Sequence, residues 1–419
     1  MKRALTISTL TPLLLSMAVS PAPGEEWSRF RGPNGTGISA ADTIPTTWTE
    51  ADINWKVTLP GSGHSQPVLW GHRIFLTSSK NEGGERLVLC LGTRDGATEW
   101  TRTFAGDTHK KHSYNSFASS TPAVDAERAY VVFSAPGSFV VRAFRHGGEE
   151  AWSREFGPHS SQHGYGASPI VWNDMVIVGN EEDSRSFIAA LDAKTGKERW
   201  RSARRSEEAA YGTPCLYLRD KEKPELILSS HAHGISSLDP GTGELNWEAL
   251  VFDKRTVSSP VIAGGLILGT CGSGAGGNFI VGVRPGGKGD VTATHLAYKL
   301  NKSIPYVPTP VALGDLLFLC SDRGVVSCVE AATGNVLYQE RAGGSFSASP
   351  VCVKDRLFCV SEDGEVVVVA AANEFKVLAR NALGEGSRTT PAVAGGRMYV
   401  RTYTRLFSIG GRPAASAGD

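Results

Sequence analysis

The sequence predicts an all-β fold, an eight-bladed β-propeller whose last blade is closed by a strand from the N-terminal part of the chain. Three observations support this prediction. A turn followed by an aromatic residue recurs along the chain, a proline marker occurs eight times, and one early strand has no partners in its own repeat. Repeats of about 40 to 50 residues, each with several short strands, are typical of propeller blades.

The clearest copy of the turn is residues 190–200, A-L-D-A-K-T-G-K-E-R-W, in which one strand ends, a glycine-containing turn follows and the next strand begins. In five such turns an aromatic residue lies four positions after the last turn glycine. These aromatic residues are Trp100, Trp152, Trp200, Trp247 and Tyr338. The constant spacing fixes the register of the fourth strand of each repeat relative to its turn.

The second marker is a small or polar residue, then proline, then an apolar strand. Its prolines are Pro67, Pro122, Pro169, Pro214, Pro260, Pro310, Pro350 and Pro391, at intervals of 55, 47, 45, 46, 50, 40 and 41 residues. In the first four units the distance from proline to tryptophan is 33, 30, 31 and 33 residues. Two stacked β-sandwiches would not explain this constancy, so eight four-stranded units are favoured.

The eighth unit ends before a fourth strand, at residues 410–413. An isolated strand at residues 53–57 contains Trp55 and Lys56, an aromatic and basic pair like that of Trp200 and Arg201. We expect this strand to complete the last blade, because closing the ring removes an exposed sheet edge. The predicted propeller therefore covers residues 53–411.

Composition and charge narrow the function. The chain has 419 residues, 41% hydrophobic and 20% charged, which suffices for a large core. A net charge of +1 gives no electrostatic reason to expect binding to nucleic acid or to an anionic membrane.

The N-terminus predicts export. Met1, Lys2 and Arg3 precede an apolar run at residues 4–19, and small residues follow. This pattern is typical of a signal peptide, here residues 1–24, and the run is short for a membrane anchor, the alternative. We expect a periplasmic or secreted protein with no cysteine for lipid attachment at the exit and no membrane span after processing. Residues 25–52 are predicted to form an irregular arm, and residues 412–419 a disordered tail.

The seven cysteines are an odd number and lie mostly in apolar strand patterns. One or two disulfides are possible in an exported protein, but buried small hydrophobic side chains are the favoured interpretation.

Two sets of loops should share one face of the ring: those that enter the first strand of each blade, and those between the second and third strands. Aromatic residues, histidines and arginines concentrate in them, and concave mouths lined by such residues bind ligands or partners. The alternative is that each side chain bonds only to nearby backbone. The predicted binding residues are His64, Gln66, Tyr114, Asn115, His163, Tyr165, Tyr211, His231, His233, Arg255, Tyr306, Arg388 and Tyr403.

No metal site is predicted. His231 and His233 lie at alternate positions of a strand, but two ligands do not make a site. The acidic residues 181–183 lack the spacing of a Ca²⁺ loop, and the glycine-rich residues 271–277 do not open a helix that could bind phosphate. No nucleophile–histidine–acid set can be assembled from the spacing alone, so no catalytic residue is assigned.

The pattern A-x-D-x-x-T-G-x-x-x-W in residues 190–200 resembles the tryptophan-docking repeat of the pyrroloquinoline-quinone (PQQ) propeller superfamily. The resemblance covers residues 48–411 and implies that Trp55, Trp100, Trp152, Trp200, Trp247 and Tyr338 dock against neighbouring blades. It points to two branches: quinoprotein dehydrogenases, and the B component of the outer-membrane β-barrel assembly machinery. The first branch has adjacent cysteines at its cofactor site, and this chain has none.

We therefore expect an exported, monomeric, non-catalytic propeller that binds a protein partner or an extended ligand on its loop face, without a cofactor. The alternative is a PQQ-dependent oxidoreductase of the alcohol or sugar dehydrogenase type, with Ca²⁺ beside the quinone. The two hypotheses differ in a cofactor, which is detectable by its absorption.

Overall fold

The computed structural model describes residues 26–218 and 223–411. These residues form eight antiparallel four-stranded sheets, two of which gain a short fifth strand. First strands of neighbouring blades contact one another, as expected when they surround a central axis. The prediction of an eight-bladed propeller is confirmed. The predicted signal peptide, residues 1–24, and the predicted C-terminal tail, residues 412–419, lie outside the described residues.

The strands follow the order predicted from the repeats. The first, innermost strands are Val68–Trp70, Ala123–Val124, Ile170–Trp172, Cys215–Tyr217, Val261–Ala263, Val311–Leu313, Val351–Val353 and Ala392–Ala394. The second strands are Arg73–Lys80, Arg128–Ala135, Met175–Asn180, Glu225–Ser230, Leu266–Cys271, Leu316–Cys320, Arg356–Val360 and Arg397–Arg401. The third strands are Glu85–Gly92, Ser138–Arg145, Phe187–Asp192, Gly234–Leu238, Phe279–Val283, Val325–Glu330, Glu365–Ala370 and Arg405–Gly410. The outermost strands of blades 1 to 7 are Thr98–Ala105, Glu150–Glu155, Glu198–Ala203, Leu245–Ala249, Leu296–Leu300, Val336–Arg341 and Val377–Ala382.

The outermost strand of blade 8 is Ile53–Thr58, which pairs antiparallel with Arg405–Gly410. Trp55 lies opposite Ser408 in this pairing. The early strand therefore closes the ring, as predicted, and leaves no open sheet edge at that junction.

The remaining elements are short. Gly289–Asp290 pairs in parallel with the outermost strand of blade 4, and Ile38–Ser39 pairs in parallel with the first strand of blade 7. In residues 26–218 and 223–411 the helical segments are the 3₁₀ turns Pro33–Gly35, Glu50–Asp52 and Asn81–Gly83 and one α-helical turn, Thr292–His295. Within the described residues, no helix is both long and apolar enough to cross a membrane.

The hydrophobic core is divided among the junctions between blades. One buried cluster joins blades 1 and 2 through Phe75, Trp100 and Phe144, and another joins blades 6 and 7 through Phe318, Phe346 and Cys359. Each blade therefore buries apolar side chains against its neighbours, so the stability of the ring depends on the junctions.

Aromatic residues of the outermost strands bond to the turn of the following blade at four of these junctions. The indole nitrogens of Trp55, Trp100, Trp152 and Trp200 donate to the carbonyl oxygens of Thr93, His146, Ala193 and Pro240, at 3.0, 2.8, 3.0 and 3.0 Å. The turn glycine packs on the ring in each case, so that a Cβ added at Gly96, Gly148, Gly196 or Gly243 would collide with the indole.

Trp247 and Tyr338 do not make this contact. Trp247 donates to the Glu225 carboxylate of its own blade at 2.7 Å, because the next blade has a longer connection in place of the glycine turn. The Tyr338 hydroxyl is buried without a hydrogen-bond partner in the described structure, and its ring lies 5.6 Å from Phe375. Tyr298, which the turn pattern did not identify, takes the docking position between blades 5 and 6 and donates to the Ala331 carbonyl at 2.9 Å.

The residue before each marker proline takes part in a ring of hydrogen bonds around the channel. Its backbone N–H donates to the hydroxyl of the corresponding residue in the next blade. Six such bonds occur in the described structure, at 2.9 to 3.0 Å, from Gln66 to Thr121, Thr121 to Ser168, Thr213 to Ser259, Ser259 to Thr309, Thr309 to Ser349 and Ser349 to Thr390. The marker therefore supplies a side-chain acceptor for a buried backbone donor at six of the eight steps around the ring.

All seven cysteines are buried free thiols, as the apolar strand patterns predict.

Candidate functional site

A cavity of about 1020 Å³ occupies the mouth of the channel. The loops that enter the first strands of all eight blades line it, and so do the loops between the second and third strands of blades 5, 6 and 7. These are the two sets of loops that the strand order places on one face. A cavity of this size suits a small ligand or a segment of a partner.

The N-terminal arm closes the channel at the end opposite the mouth. The Trp27 carbonyl accepts from Leu69 N at 3.0 Å in blade 1, the Asn34 side chain accepts from Leu216 N at 2.8 Å in blade 4, and the Gly37 carbonyl accepts from Cys352 N at 2.8 Å in blade 7. The arm thus crosses beneath the ring and pairs with first strands on several sides.

Arg31 anchors the arm inside the channel. Its side chain is fully buried, and the guanidinium donates to the carbonyls of Pro310 at 2.7 Å and of Thr309 and Pro350 at 3.1 Å each. The preceding residue, Phe30, lines the bottom of the cavity. The described part of the channel is therefore a well that opens on the loop face.

Eight of the predicted binding residues line this cavity. They are His64, Tyr114, Asn115, His163, Tyr211, Arg255, Tyr306 and Arg388. They come from seven blades, so the strand order, and not proximity in sequence, brings them together.

The other five predicted residues do not line the cavity. Gln66 is fully buried, where its amide accepts from Arg31 N at 2.7 Å and donates to the Pro391 carbonyl. Tyr165 is packed edge-on against Phe139 and donates to the Gly179 carbonyl at 3.0 Å. Gln66 therefore joins the arm to blade 8, and Tyr165 joins blade 3 to blade 2.

The two histidines of the His231–His233 pair lie in different environments. His233 is buried; its Nε2 accepts from Arg205 N at 2.9 Å, and its Nδ1 lies 2.6 Å from the Glu248 carboxylate. His231 lies outside the cavity, 3.3 Å from a Glu207 oxygen. Tyr403 is at the margin, with its ring centre 5.9 Å from that of His64.

On one side of the mouth, Arg388 holds the entering loop of blade 2 in place. Its guanidinium lies 3.9 Å from the ring centre of Tyr114 and donates to the Ser113 carbonyl at 3.1 Å. A second nitrogen bonds to the Glu362 carboxylate at 3.1 Å. The contact leaves Tyr114 53% exposed at the rim, the most exposed aromatic side chain described. An aromatic residue held this way presents a large contact surface at small entropic cost.

On the other side, polar and aromatic groups of blades 3 to 6 meet. The Tyr211 hydroxyl lies 3.0 Å from Ser161 Oγ, and Arg255 approaches Gln162 Oε1 at 3.4 Å. The Asp322 carboxylate accepts from the backbone N–H of Tyr306 at 2.6 Å and fixes that loop.

Burial dominates the electrostatics of the mouth. The pKa of His64 is lowered to about 3 by burial, with the positive charges of Arg401, Arg388 and Lys111 adding to the shift, so this imidazole is neutral at pH 7. Burial also lowers the pKa of His163 and raises that of Asp322.

Sequence reasoning missed two acidic residues of the cavity, Asp322 and Glu362. Both lie in the tight turn between the second and third strands, in the segments S-D-R-G and S-E-D-G of blades 6 and 7. This shared turn pattern is a signal that could have identified them.

The donor set does not fit a resident Ca²⁺ ion. Asp322 already accepts two backbone N–H groups, and Glu362 is occupied by Arg388 and the Ser347 hydroxyl. Within the described ranges, no group of three or more histidine, cysteine, aspartate or glutamate residues is arranged to hold a metal ion. The lining offers aromatic faces, hydroxyl groups and the three arginines Arg255, Arg323 and Arg388, which suit binding of a partner or ligand.

The family described as outer membrane protein assembly factor BamB matches residues 45–211, 88–279 and 297–374. No curated protein matches the chain.

Three solved structures illustrate the fold. The chain is similar to a europium-containing methanol dehydrogenase, with a TM-score of 0.69 and 12% identity over 90% of this chain and 89% of that one. It is similar to BamB from Moraxella catarrhalis, with a TM-score of 0.60 and 15% identity over 87% and 98%. It is also similar to quinohemoprotein alcohol dehydrogenase from Comamonas testosteroni, with a TM-score of 0.68 and 14% identity over 95% and 82%. Identity this low shows a shared fold and does not transfer an activity.

Proposed function

The chain belongs to the family described as outer membrane protein assembly factor BamB, and from this premise we propose that it is an exported, non-catalytic propeller that binds a protein partner or an extended ligand at the mouth of its channel. The resemblance noted in residues 190–200 is thereby confirmed at the level of the family. The apolar run at residues 4–19 supports export into the cell envelope.

One observation carries the proposal: the loop face is a well lined by all eight blades and closed below by the arm. Rigid aromatic and arginine side chains at its rim, Tyr114 and Arg388 above all, are the residue types that dominate contact energies in protein interfaces. A ligand bound there would contact several blades at once.

A PQQ-dependent oxidoreductase is the alternative that the shared fold with two alcohol dehydrogenases raises. The carboxylates of the mouth are engaged by backbone N–H, hydroxyl and arginine donors, which does not favour a Ca²⁺–quinone pair. The sequence also lacks two adjacent cysteines.

Reconstitution tests this choice directly. The full chain is mixed with PQQ and Ca²⁺, passed through a desalting column, and assayed for the quinone absorption band and for reduction of an artificial electron acceptor with an alcohol. We expect neither signal. A retained quinone together with dye reduction would replace the binding proposal with the oxidoreductase.

Partner binding is tested by substitution at the rim. Tyr114→Ala removes the most exposed aromatic side chain of the mouth, so a partner captured from envelope extract by the wild-type chain should bind at least about tenfold more weakly, the usual effect at an interface hot spot. Leu218→Ala is the matched control, because Leu218 is 68% exposed and directly follows the first strand of blade 4, at the end away from the mouth. Equal capture by both variants would contradict the placement of the site.

A further inference from the structure

Two cysteine thiols meet at the junction between blades 6 and 7. Cys320 ends the second strand of blade 6, Cys359 is the next-to-last residue of the second strand of blade 7, and their Sγ atoms are 3.2 Å apart. Both side chains are buried, with 2% and 1% exposure. All seven cysteines are described, and this is the one pair whose sulfur atoms are in contact.

Like the junction between blades 4 and 5, this junction lacks the aromatic hydrogen bond that joins blades at five other junctions. Tyr338 occupies the docking position of blade 6, but its hydroxyl is buried without a partner in the described structure. The turn of blade 7, residues 371–375, contains no glycine on which the ring could pack. The thiol pair therefore lies at a junction where the repeated stabilising contact is missing.

We propose that Cys320 and Cys359 are a site of covalent modification in which an intramolecular disulfide joins blade 6 to blade 7. A bond requires the sulfur atoms to approach by about 1 Å, to the disulfide length of about 2.05 Å. The bond therefore requires rotation of the two side chains and a small shift of the neighbouring strand ends.

The chemistry is a two-electron oxidation. Two thiols lose two protons and two electrons, one S–S bond forms, and a disulfide oxidant such as oxidised glutathione is reduced to two thiols. Because both sulfur atoms are buried in the finished fold, the exchange takes place during folding, before the junction closes. The oxidising compartment follows from the export proposed above, whereas the pairing itself depends only on the geometry of the junction.

Refolding in a glutathione redox buffer tests the pairing independently of location. The full chain is unfolded and reduced, refolded with reduced and oxidised glutathione, then unfolded again in the presence of an alkylating reagent and digested. We expect one linked peptide pair containing Cys320 and Cys359, and five alkylated cysteines. Seven alkylated cysteines, or a different pairing, would overturn the proposal.

Stability gives a second readout. A disulfide that closes this loop should lower the unfolding equilibrium constant by about 30- to 1000-fold, and reduction should abolish the gain. In Cys320→Ala and in Cys359→Ala, oxidised and reduced protein should have the same free energy of unfolding. Cys328 is a buried cysteine of the same core cluster, so Cys328→Ala serves as the control. It should lower the free energy of unfolding equally in oxidised and reduced protein and keep the difference between the two. A redox-dependent shift that persists in Cys320→Ala would contradict the assignment.

Discussion

The indole nitrogen of Trp200 in blade 3 donates to the carbonyl oxygen of Pro240 in the turn of blade 4, at 3.0 Å. The same ring is covered by the turn glycine Gly243. The repeated turn and the repeated aromatic residue are thus two halves of one contact, made between neighbouring blades. This relationship explains why the spacing between them is constant along the chain.

Trp200→Phe should destabilise the protein by about 2 kcal/mol, because the buried Pro240 carbonyl loses its donor while most of the packing remains. The free energy of unfolding is measured by denaturant titration. Trp172→Phe is the control, since Trp172 is only partly buried and makes no such bond to a turn; it should change the free energy of unfolding by less than about 0.5 kcal/mol. Equal effects would show that the interblade bond contributes nothing.

Gly196→Ala should be more damaging than Gly314→Ala. Both glycines have positive φ, 69° and 57°, which costs an alanine about 1 to 2 kcal/mol. A Cβ at Gly196 would also lie 2.6 Å from the Trp152 ring, whereas nothing lies within 4 Å at Gly314. Overpacking adds about 1 to 3 kcal/mol. Denaturation midpoints of the two variants give the comparison, and a smaller loss for Gly196→Ala would rule out close packing of glycine on tryptophan.

Thr309→Val tests the ring of hydroxyl groups around the channel. Valine keeps the shape but leaves the buried N–H of Ser259 without its 3.0 Å acceptor, which should cost about 1 to 3 kcal/mol of stability. Thr98→Val, at an exposed strand position, should stay within about 0.5 kcal/mol of the wild type. Thermal unfolding of the two variants side by side provides the check; an unaffected Thr309→Val would mean that the hydroxyl is dispensable.

His64 should make the fold sensitive to acid. Its pKa is lowered from 6.5 to about 3 in the folded state, so between these values the unfolded chain binds more protons and stability falls as the pH drops. His64→Asn should therefore lose less stability than the wild type between pH 7 and pH 4.5. The exposed His72, substituted in the same way, serves as the control. An unchanged pH profile for His64→Asn would show that this imidazole is solvated in the folded protein.

The blade count and the closure of the ring could be predicted from the sequence because both depend on local spacing. Proline markers and turn glycines fix where strands begin. The last blade was the one unit without a fourth strand, so the isolated strand around Trp55 could be assigned to it. Tyr298 was not identified because the connection before it contains Gly289–Asp290 and the helical turn Thr292–His295. These elements change the spacing between the turn glycine and the aromatic residue. The basic residue after it, Lys299, repeats the pairing of Trp55 with Lys56 and was an available signal.

The candidate site was predictable only in part. The loops in which His163 and Tyr211 lie identified their side of the ring. The sequence did not give the direction in which each side chain points. Gln66 and Tyr165 share those loops and point into the protein, because buried carbonyls there need donors. The closure of the channel by Arg31 could not be foreseen, since its acceptors in the blades, the carbonyls of Thr309, Pro310 and Pro350, are more than 270 residues away in sequence.

Photo-crosslinking from the rim tests the central claim, that the mouth is the binding surface, most directly. The photoreactive amino acid p-benzoylphenylalanine is placed at Tyr114 or, as a control, at Leu218, in cells that produce and export the full chain. We predict a crosslinked adduct from position 114 and none from position 218 after irradiation. An adduct from position 218 alone, or none from position 114, would contradict the account.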